Sequence, residues 1–134
     1  MREASQGYRH DPHSVGLATV HLCFIPKRRK PVLKGAIRQR LNEIFQSVAK
    51  EKGWFIRSTE IAPDHVHLLI EYDSKHSIAD IAKAMKGRSS RLLREEFPEL
   101  LKLPSLWPRS YFYETSGKIS TAKIKEYIED RHHW

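Results

Sequence analysis

The chain holds a single cysteine, Cys23, in 134 residues. One thiol excludes an intrachain disulfide and a multi-cysteine zinc site, and points to a reducing, cytoplasmic setting. No apolar run approaches the ~18 residues of a membrane-crossing helix, so no membrane association is expected. Residues 1–14 are polar and do not read as a secretory leader. A glycine-rich loop able to cradle a nucleotide phosphate is also missing, as are internal repeats and low-complexity tracts. Acid is absent from two stretches. Lys27 to Arg40 carries Lys27, Arg28, Arg29, Lys30, Lys34, Arg38 and Arg40; Lys83 to Arg94 carries Lys83, Lys86, Arg88, Arg91 and Arg94. These concentrate a net charge of +8, from 24 Lys and Arg against 16 Asp and Glu. Clustered positive charge of this kind suits a polyanion, most commonly nucleic acid; a solvated basic surface is the alternative.

The apolar pattern predicts one domain over residues 15–134 behind a flexible arm at 1–14. Val20, Leu22 and Phe24 alternate with Thr19, His21 and Cys23, which reads as a strand over 17–25. Ile37, Leu41, Ile44, Phe45 and Val48 recur at three- and four-residue spacing, one stripe of a helix over 33–52 that Gly53 stops. Strands over 54–61 and 65–72 flank an Ala62-Pro63-Asp64 turn and form an antiparallel hairpin. A second helix begins near Ser77, capped by Ser74 or Ser77, with Gly87 a possible bend. Residues 98–108 form a loop segment, 110–115 a fourth strand, and Ser120 caps a last helix reaching about Arg131. The order β-α-β-β-α-β is the split βαβ pattern of ferredoxin-like and RNA-recognition folds. The fold class is therefore α+β, an antiparallel sheet with helices on one face, plus a C-terminal helix bearing Tyr127.

The third strand opens with His65-Val66-His67. Side chains two apart on a strand share a face, so the two imidazoles stand side by side and can hold a divalent metal. Asp64 is an oxygen donor next to the pair. Tyr127, beside the Ile124/Ile128 stripe of the last helix, is either a packed aromatic or a nucleophile. A phenol oxygen attacking a DNA phosphorus conserves the energy of the broken linkage in a phosphotyrosine bond, so rejoining needs no nucleotide.

Several segments together resemble the single-tyrosine HUH transposases, the small proteins of insertion-sequence-200-type elements. They are Cys23 to Pro31 with its basic loop, Pro63 to Leu69 with the His-hydrophobic-His pair, Lys86-Gly87-Arg88-Ser89-Ser90-Arg91, Leu106-Trp107, Ser110 to Phe112, Gly117, and Tyr127-Ile128-Glu129. They span roughly residues 17–131. The resemblance implies Mg²⁺ or Mn²⁺ on His65 and His67, Tyr127 joining the 5′ phosphate of single-stranded DNA next to a hairpin, and a homodimer whose active sites each combine both subunits. It also implies a hinge at Gly117, a prokaryotic cytoplasmic protein associated with the nucleoid, and DNA contacts from Lys27, Arg28, Arg29, Lys30, Lys86, Arg88, Ser89, Ser90, Arg91 and Trp107. The family pattern places Gln four residues after the tyrosine as a third ligand; Arg131 stands there, and a guanidinium has no lone pair to give. Asp130, Asp64 or water is expected to complete the shell.

Two other readings share parts of this pattern. A non-catalytic module of the RNA-recognition type fits the fold but makes the histidine pair incidental. A replication or mobilisation nickase of the wider HUH class shares the chemistry, although a short chain with one tyrosine argues against it. His21 reads as structural and His76 as a loop residue. Trp107, Tyr111 and Tyr113 are open between base stacking and packing.

Overall fold

The computed structural model describes residues 9–11, 14–16, 18–115 and 121–134. The elements are β1 (Arg9–Asp11), β2 (Ser14–Gly16), β3 (Thr19–Phe24), α1 (Gly35–Lys52), β4 (Phe55–Ala62), β5 (His65–Glu71), α2 (Ile78–Glu96), β6 (Phe112–Glu114) and α3 (Thr121–Glu129). Short 3₁₀ turns lie at Lys27–Arg29, Pro98–Lys102 and Arg131–His133. Most of the segment expected as an arm lies outside the described residues. Within it, β1 pairs with β2 as a small antiparallel hairpin that no periodicity in the sequence signals.

The main sheet has the order β4-β5-β3-β6, with β3 and β5 in the centre. All its pairs are antiparallel. This is the ferredoxin-like arrangement that the element order predicts. The connection between β4 and β5 is the two-residue turn Pro63-Asp64, and their ladder carries a bulge at Arg57. All the main-sheet strand ends fall within two residues of their expected positions.

One face of the sheet builds the core. Val20, Leu22 and Phe24 of β3 and Val66, Leu68 and Ile70 of β5 are fully buried there. They pack with Leu41, Ile44, Phe45 and Val48 of α1 and Ile81, Met85 and Leu93 of α2. Each such side chain contributes about 1.5–3 kcal/mol by leaving water. Gly53 closes α1 in the left-handed conformation, φ 77°, with its N–H on the Ala49 carbonyl. Ser77 rather than Ser74 caps α2. Its Oγ accepts from the Asp80 N–H at 3.0 Å, and the Asp80 carboxylate accepts from the Ser77 N–H at 3.0 Å. Such a cap is worth about 1 kcal/mol. The expected bend at Gly87 is absent, and α2 runs through it unbroken.

Between α2 and β6 the chain folds back on α2. Trp107 enters the core edge-on to Phe24, with ring centroids 4.8 Å apart. Its indole N–H donates to Ser89 Oγ at 3.0 Å, and that hydroxyl donates to the Met85 carbonyl at 2.7 Å. The Lys86 ammonium donates to the carbonyls of Pro108 at 2.6 Å and Ser110 at 3.1 Å. On the opposite sheet face, α3 forms a second, smaller core in which Tyr127 and Ile128 meet Cys23 and Ile25, with Ile124, Phe112 and Trp134 at its margin.

Candidate active site

His65 and His67 are the first and third residues of β5, and they project from the face opposite the main core. His65 lies across from Ala62 of β4; His67 lies across from Glu60 of β4 and Cys23 of β3. The tight turn places Asp64 against its neighbour, with Oδ1 3.0 Å from His65 Nδ1. The other Asp64 oxygen accepts from Arg29 Nε at 2.9 Å. Burial pushes the Asp64 carboxyl up, but the hydrogen bonds from His65 and Arg29 outweigh it and hold the group below the usual range. His67 Nδ1 faces the Glu60 carboxylate at 3.9 Å, while its Nε2 is buried without a hydrogen-bond partner. His21 of β3 stacks on the His67 ring, with centroids 5.3 Å apart and planes 25° from parallel. Burial, then the neighbouring His21, lowers the His67 pKa and favours the neutral imidazole that binds metals.

A cavity of about 560 Å³ opens between this group and α3. Arg29, Glu60, Asp64, His65 and His67 form one side; Thr121, Ile124, Lys125, Ile128 and Glu129 form the other. A metal-binding histidine characteristically gives its second ring nitrogen to a carboxylate, which fixes the tautomer and leaves Nε2 for the metal. Asp64 supplies that arrangement for His65. Glu60 faces His67 Nδ1 from 3.9 Å, an electrostatic neighbour beyond hydrogen-bond distance, and His67 Nε2 is left unpartnered. The pair therefore fits a divalent ion. Among the described residues no third His, Cys, Asp or Glu joins them as a ligand cluster.

The two carboxylates expected as ligands sit otherwise. Asp64 has its oxygens engaged by His65 and Arg29, which is an orienting position. Asp130 does not line the cavity; it accepts the His132 N–H at 3.0 Å and caps the last 3₁₀ turn. The reason is that α3 ends at Glu129, so the helical spacing that would align residue 131 with Tyr127 is lost. The Arg131 guanidinium instead lies 5.7 Å from the centre of the Trp134 ring. Glu129 is the carboxylate that α3 brings to the cavity.

Tyr127 is only 7 % exposed. Its hydroxyl is 3.1 Å from Ser110 Oγ, and its ring leans on Phe112 at 6.2 Å. Burial pushes the phenol up to about 12, against a smaller downward pull from Ser110. The tyrosine does not line the cavity; it is packed in the small core beside it, with Cys23, Ile25 and Ile128. Gly117 and Ser120 lie outside the described residues.

The basic residues divide. Lys27, Arg28 and Arg29 form a 3₁₀ turn in which Arg28 and Arg29 are left-handed, φ 59° and 52°. That backbone costs roughly 1–2 kcal/mol per residue. It is tied down by Lys27 N–H on the Leu106 carbonyl at 2.7 Å and Arg29 N–H on Pro26 at 2.8 Å. The turn sends Arg29 into the cavity and leaves Arg28 and Lys30 exposed. Three residues expected at DNA are structural instead. Ser89 is fully buried, Trp107 is 6 % exposed, and Lys86 is spent on the Pro108 and Ser110 carbonyls, its pKa brought down by burial to about 8. Ser90 is half-buried on α2. Arg88 pairs with Glu51, and Arg91 lies 3.9 Å from Glu95. Both Arg88 and Arg91 line a shallow basic concavity with Lys52 and Lys83. The sequence reading missed Glu60, Glu129 and the contact made by His21. The spacing of His21 from Cys23 was available as a signal, but only the register of β3 against β5 sets His21 beside His67.

The fold and the site define a ferredoxin-like domain whose His-hydrophobic-His pair faces a tyrosine-bearing helix. The chain matches the IS200-like transposase family over residues 14–131 and belongs to it. It is 35% identical over 115 residues to the ISDra2 transposase TnpA of Deinococcus radiodurans, covering 84% of this chain and 82% of that protein. The transposase for insertion sequence element IS200 of Salmonella typhimurium is 34% identical over 112 residues, 81% of this chain and 73% of its own length. A crystal structure from Deinococcus radiodurans, of a protein described as a transposase, superposes with a TM-score of 0.84 at 33% identity, covering 94% of this chain and 99% of that one. A tyrosine transposase solved with a REP hairpin shares the fold, with a TM-score of 0.57 at 14% identity over 96% of this chain and 68% of the other. The chain is thus a DNA-binding transposase, an enzyme of DNA cleavage and strand transfer. No described helix is long and apolar enough to cross a membrane.

Proposed function

We propose that this transposase cuts and rejoins single-stranded DNA at hairpin-bearing element ends through Tyr127, assisted by Mg²⁺ or Mn²⁺ on His65 and His67. The observation that carries this reading is the pair of imidazoles, each with Nδ1 beside a carboxylate, facing a cavity walled by the tyrosine helix. His65 and His67 would hold the ion, which when bound would supply positive charge to polarise the scissile phosphate.

The chain's own residues do the rest. Asp64 holds His65 in the ligating tautomer, and Glu60 faces His67 as an electrostatic neighbour. Arg29, anchored on Asp64, places a positive charge beside the phosphate. The Tyr127 oxygen attacks phosphorus, the P–O3′ bond breaks, and the 3′ oxygen leaves and takes up a proton as a hydroxyl. The 5′ phosphate remains on Tyr127. Rejoining reverses the step, with an incoming 3′ hydroxyl displacing the phenolate.

Tyr127 packed against Ser110 and Cys23, its phenol held at about 12, is a resting nucleophile. Its burial in the small core, off the walls of the histidine cavity, supports composite sites in a homodimer, in which α3 of one subunit serves the histidines of the other. The basic 27–30 turn, with Arg88 and Arg91 on α2, offers contacts to the DNA backbone.

The test is incubation of the protein with labelled single-stranded DNA carrying a hairpin, with and without Mn²⁺. A metal-dependent covalent adduct that disappears in Tyr127→Phe is expected. DNA binding with no adduct under any metal would favour the non-catalytic module instead. The central strands argue against that module, since their open face presents His21, Cys23, His65 and His67 rather than stacking aromatics.

A further inference from the structure

The backbone turn that sends Arg29 into the histidine cavity sends its neighbours elsewhere. Arg28 and Lys30 line a second groove, of about 670 Å³, between that turn and the 3₁₀ segment at Pro98–Lys102. Lys34 and Lys102 complete its charged rim, so four cations face a single acid, Glu99. All four cations are exposed, and no described residue forms an ion pair with any of them. Beneath the rim the floor is apolar, made by Val32, Ile37, Leu100 and Leu103. The left-handed Arg28 and Arg29 are what divide one charged loop between two adjoining sites.

We propose that this groove is a subsite for the single strand on one side of the scissile phosphate, taking one base on its apolar floor and the flanking phosphates on its rim. The reading rests on the proposed single-strand chemistry and adds a second place where the strand is held. A cationic rim over an apolar floor matches a nucleotide, which is anionic at the phosphate and flat and apolar at the base. A second protein chain would match the floor but leave four cations facing one acid. The 28–30 turn lies between the two sites, Arg29 lining the cavity and Arg28 and Lys30 the groove, so a strand leaving the cavity would reach the groove by rounding that turn. Contacts here would make affinity depend on strand length beyond the cleavage site and would favour a base, of whatever identity, at one position.

The test compares single-stranded oligonucleotides that end at the cleavage site with ones extended by up to four nucleotides on either side, by fluorescence anisotropy across a salt series. Extension on one side only is expected to tighten binding. The double variant Lys34→Glu/Lys102→Glu should lose on the order of tenfold of that gain and flatten the salt slope by about 1.4, at about 0.7 per phosphate contact. Its binding and cleavage of the short oligonucleotide should stay unchanged, which also reports that the variant is folded. With the wild-type protein, a single abasic site moved along the extension should weaken binding at one position. Equal affinity for short and extended strands, with no abasic position standing out, would overturn the subsite while leaving the proposed cleavage chemistry intact. A protein that cuts neither substrate would instead sink the single-strand reading itself. Concentration-dependent self-association abolished by Lys34→Glu/Lys102→Glu, with no change in DNA affinity, would assign the groove to a second copy of the chain and overturn the proposal.

Discussion

One face of the sheet presents Val20, Leu22, Phe24, Val66, Leu68 and Ile70 to two long helices, and every one of them is fully buried. The other face, built from the alternate residues of the same strands, presents His21, Cys23, His65 and His67 to a short helix and a cavity. The first face packs almost only hydrocarbon, although the indole nitrogen of Trp54 is buried in that core without a hydrogen-bond partner. On the second, ring nitrogens of His21 and His67 are buried without partners. Buried unpaired nitrogens are costly unless something answers them. His67 lines the cavity beside α3, in which a ligand can do so, whereas Trp54 belongs to the main core, so the second face is arranged for a ligand and the first for stability. Period-two alternation lets one strand serve both ends at once.

Four perturbations would break or sharpen that contrast. The largest effect is expected from His67→Ala on the open face. Removing one of the two proposed ligands should lower Mn²⁺ affinity by more than about 100-fold, beyond what loss of an orienting group costs. Calorimetric titration with Mn²⁺ checks this, and the thermal midpoint without metal should hardly fall. Trp107→Ala is the reverse case. It empties the core beside Phe24 and leaves the Ser89 hydroxyl without its donor, at about 3–5 kcal/mol, as urea unfolding would show; Mn²⁺ affinity of the protein that remains folded should be unchanged.

Asp64→Asn should have a smaller effect if, as its hydrogen bonds to His65 and Arg29 suggest, the carboxylate orients His65 rather than coordinating. A loss of about 10- to 100-fold in metal affinity is expected, and a loss equal to that of His67→Ala would make Asp64 a ligand after all. The smallest effect concerns pH. His21 and His67 are both lowered in the fold, chiefly by burial. The unfolded chain therefore takes up protons first, near its ordinary value of about 6.5. The stability these groups provide is full above that value and is lost as pH falls through it toward the lower folded values. Without metal, the urea midpoint should fall between pH 7.5 and pH 5.5, and the fall should shrink in His21→Gln.

Much of this was legible before any coordinates. Strand alternation and helical spacing read out the main sheet and both long helices, and period two alone put His65 and His67 on one face. What sequence spacing misread, it misread for reasons of packing. Lys86 and Arg94 fall on the polar side of the α2 wheel, yet each donates to carbonyls of the returning 103–110 segment. Ser89 follows Ile81 and Met85 at four-residue intervals and precedes Leu93, so its core position was readable; its polarity concealed it. Asp130 stands away from the histidine cavity because the helix stops one residue short of it, and helix ends are weakly encoded in sequence.

By itself the sequence determined which side chains share a face, since that follows from the repeat of the backbone, and it determined the charge that a DNA-binding enzyme needs. Only the tertiary structure decided that His21 stacks on His67, that Asp64 and Glu60 flank the pair, and that Tyr127 is buried in the small core off the cavity. Those relations join residues from strands, turns and a helix that are distant along the chain. They are set by sheet register and by where α3 docks, and neither is written in any local pattern.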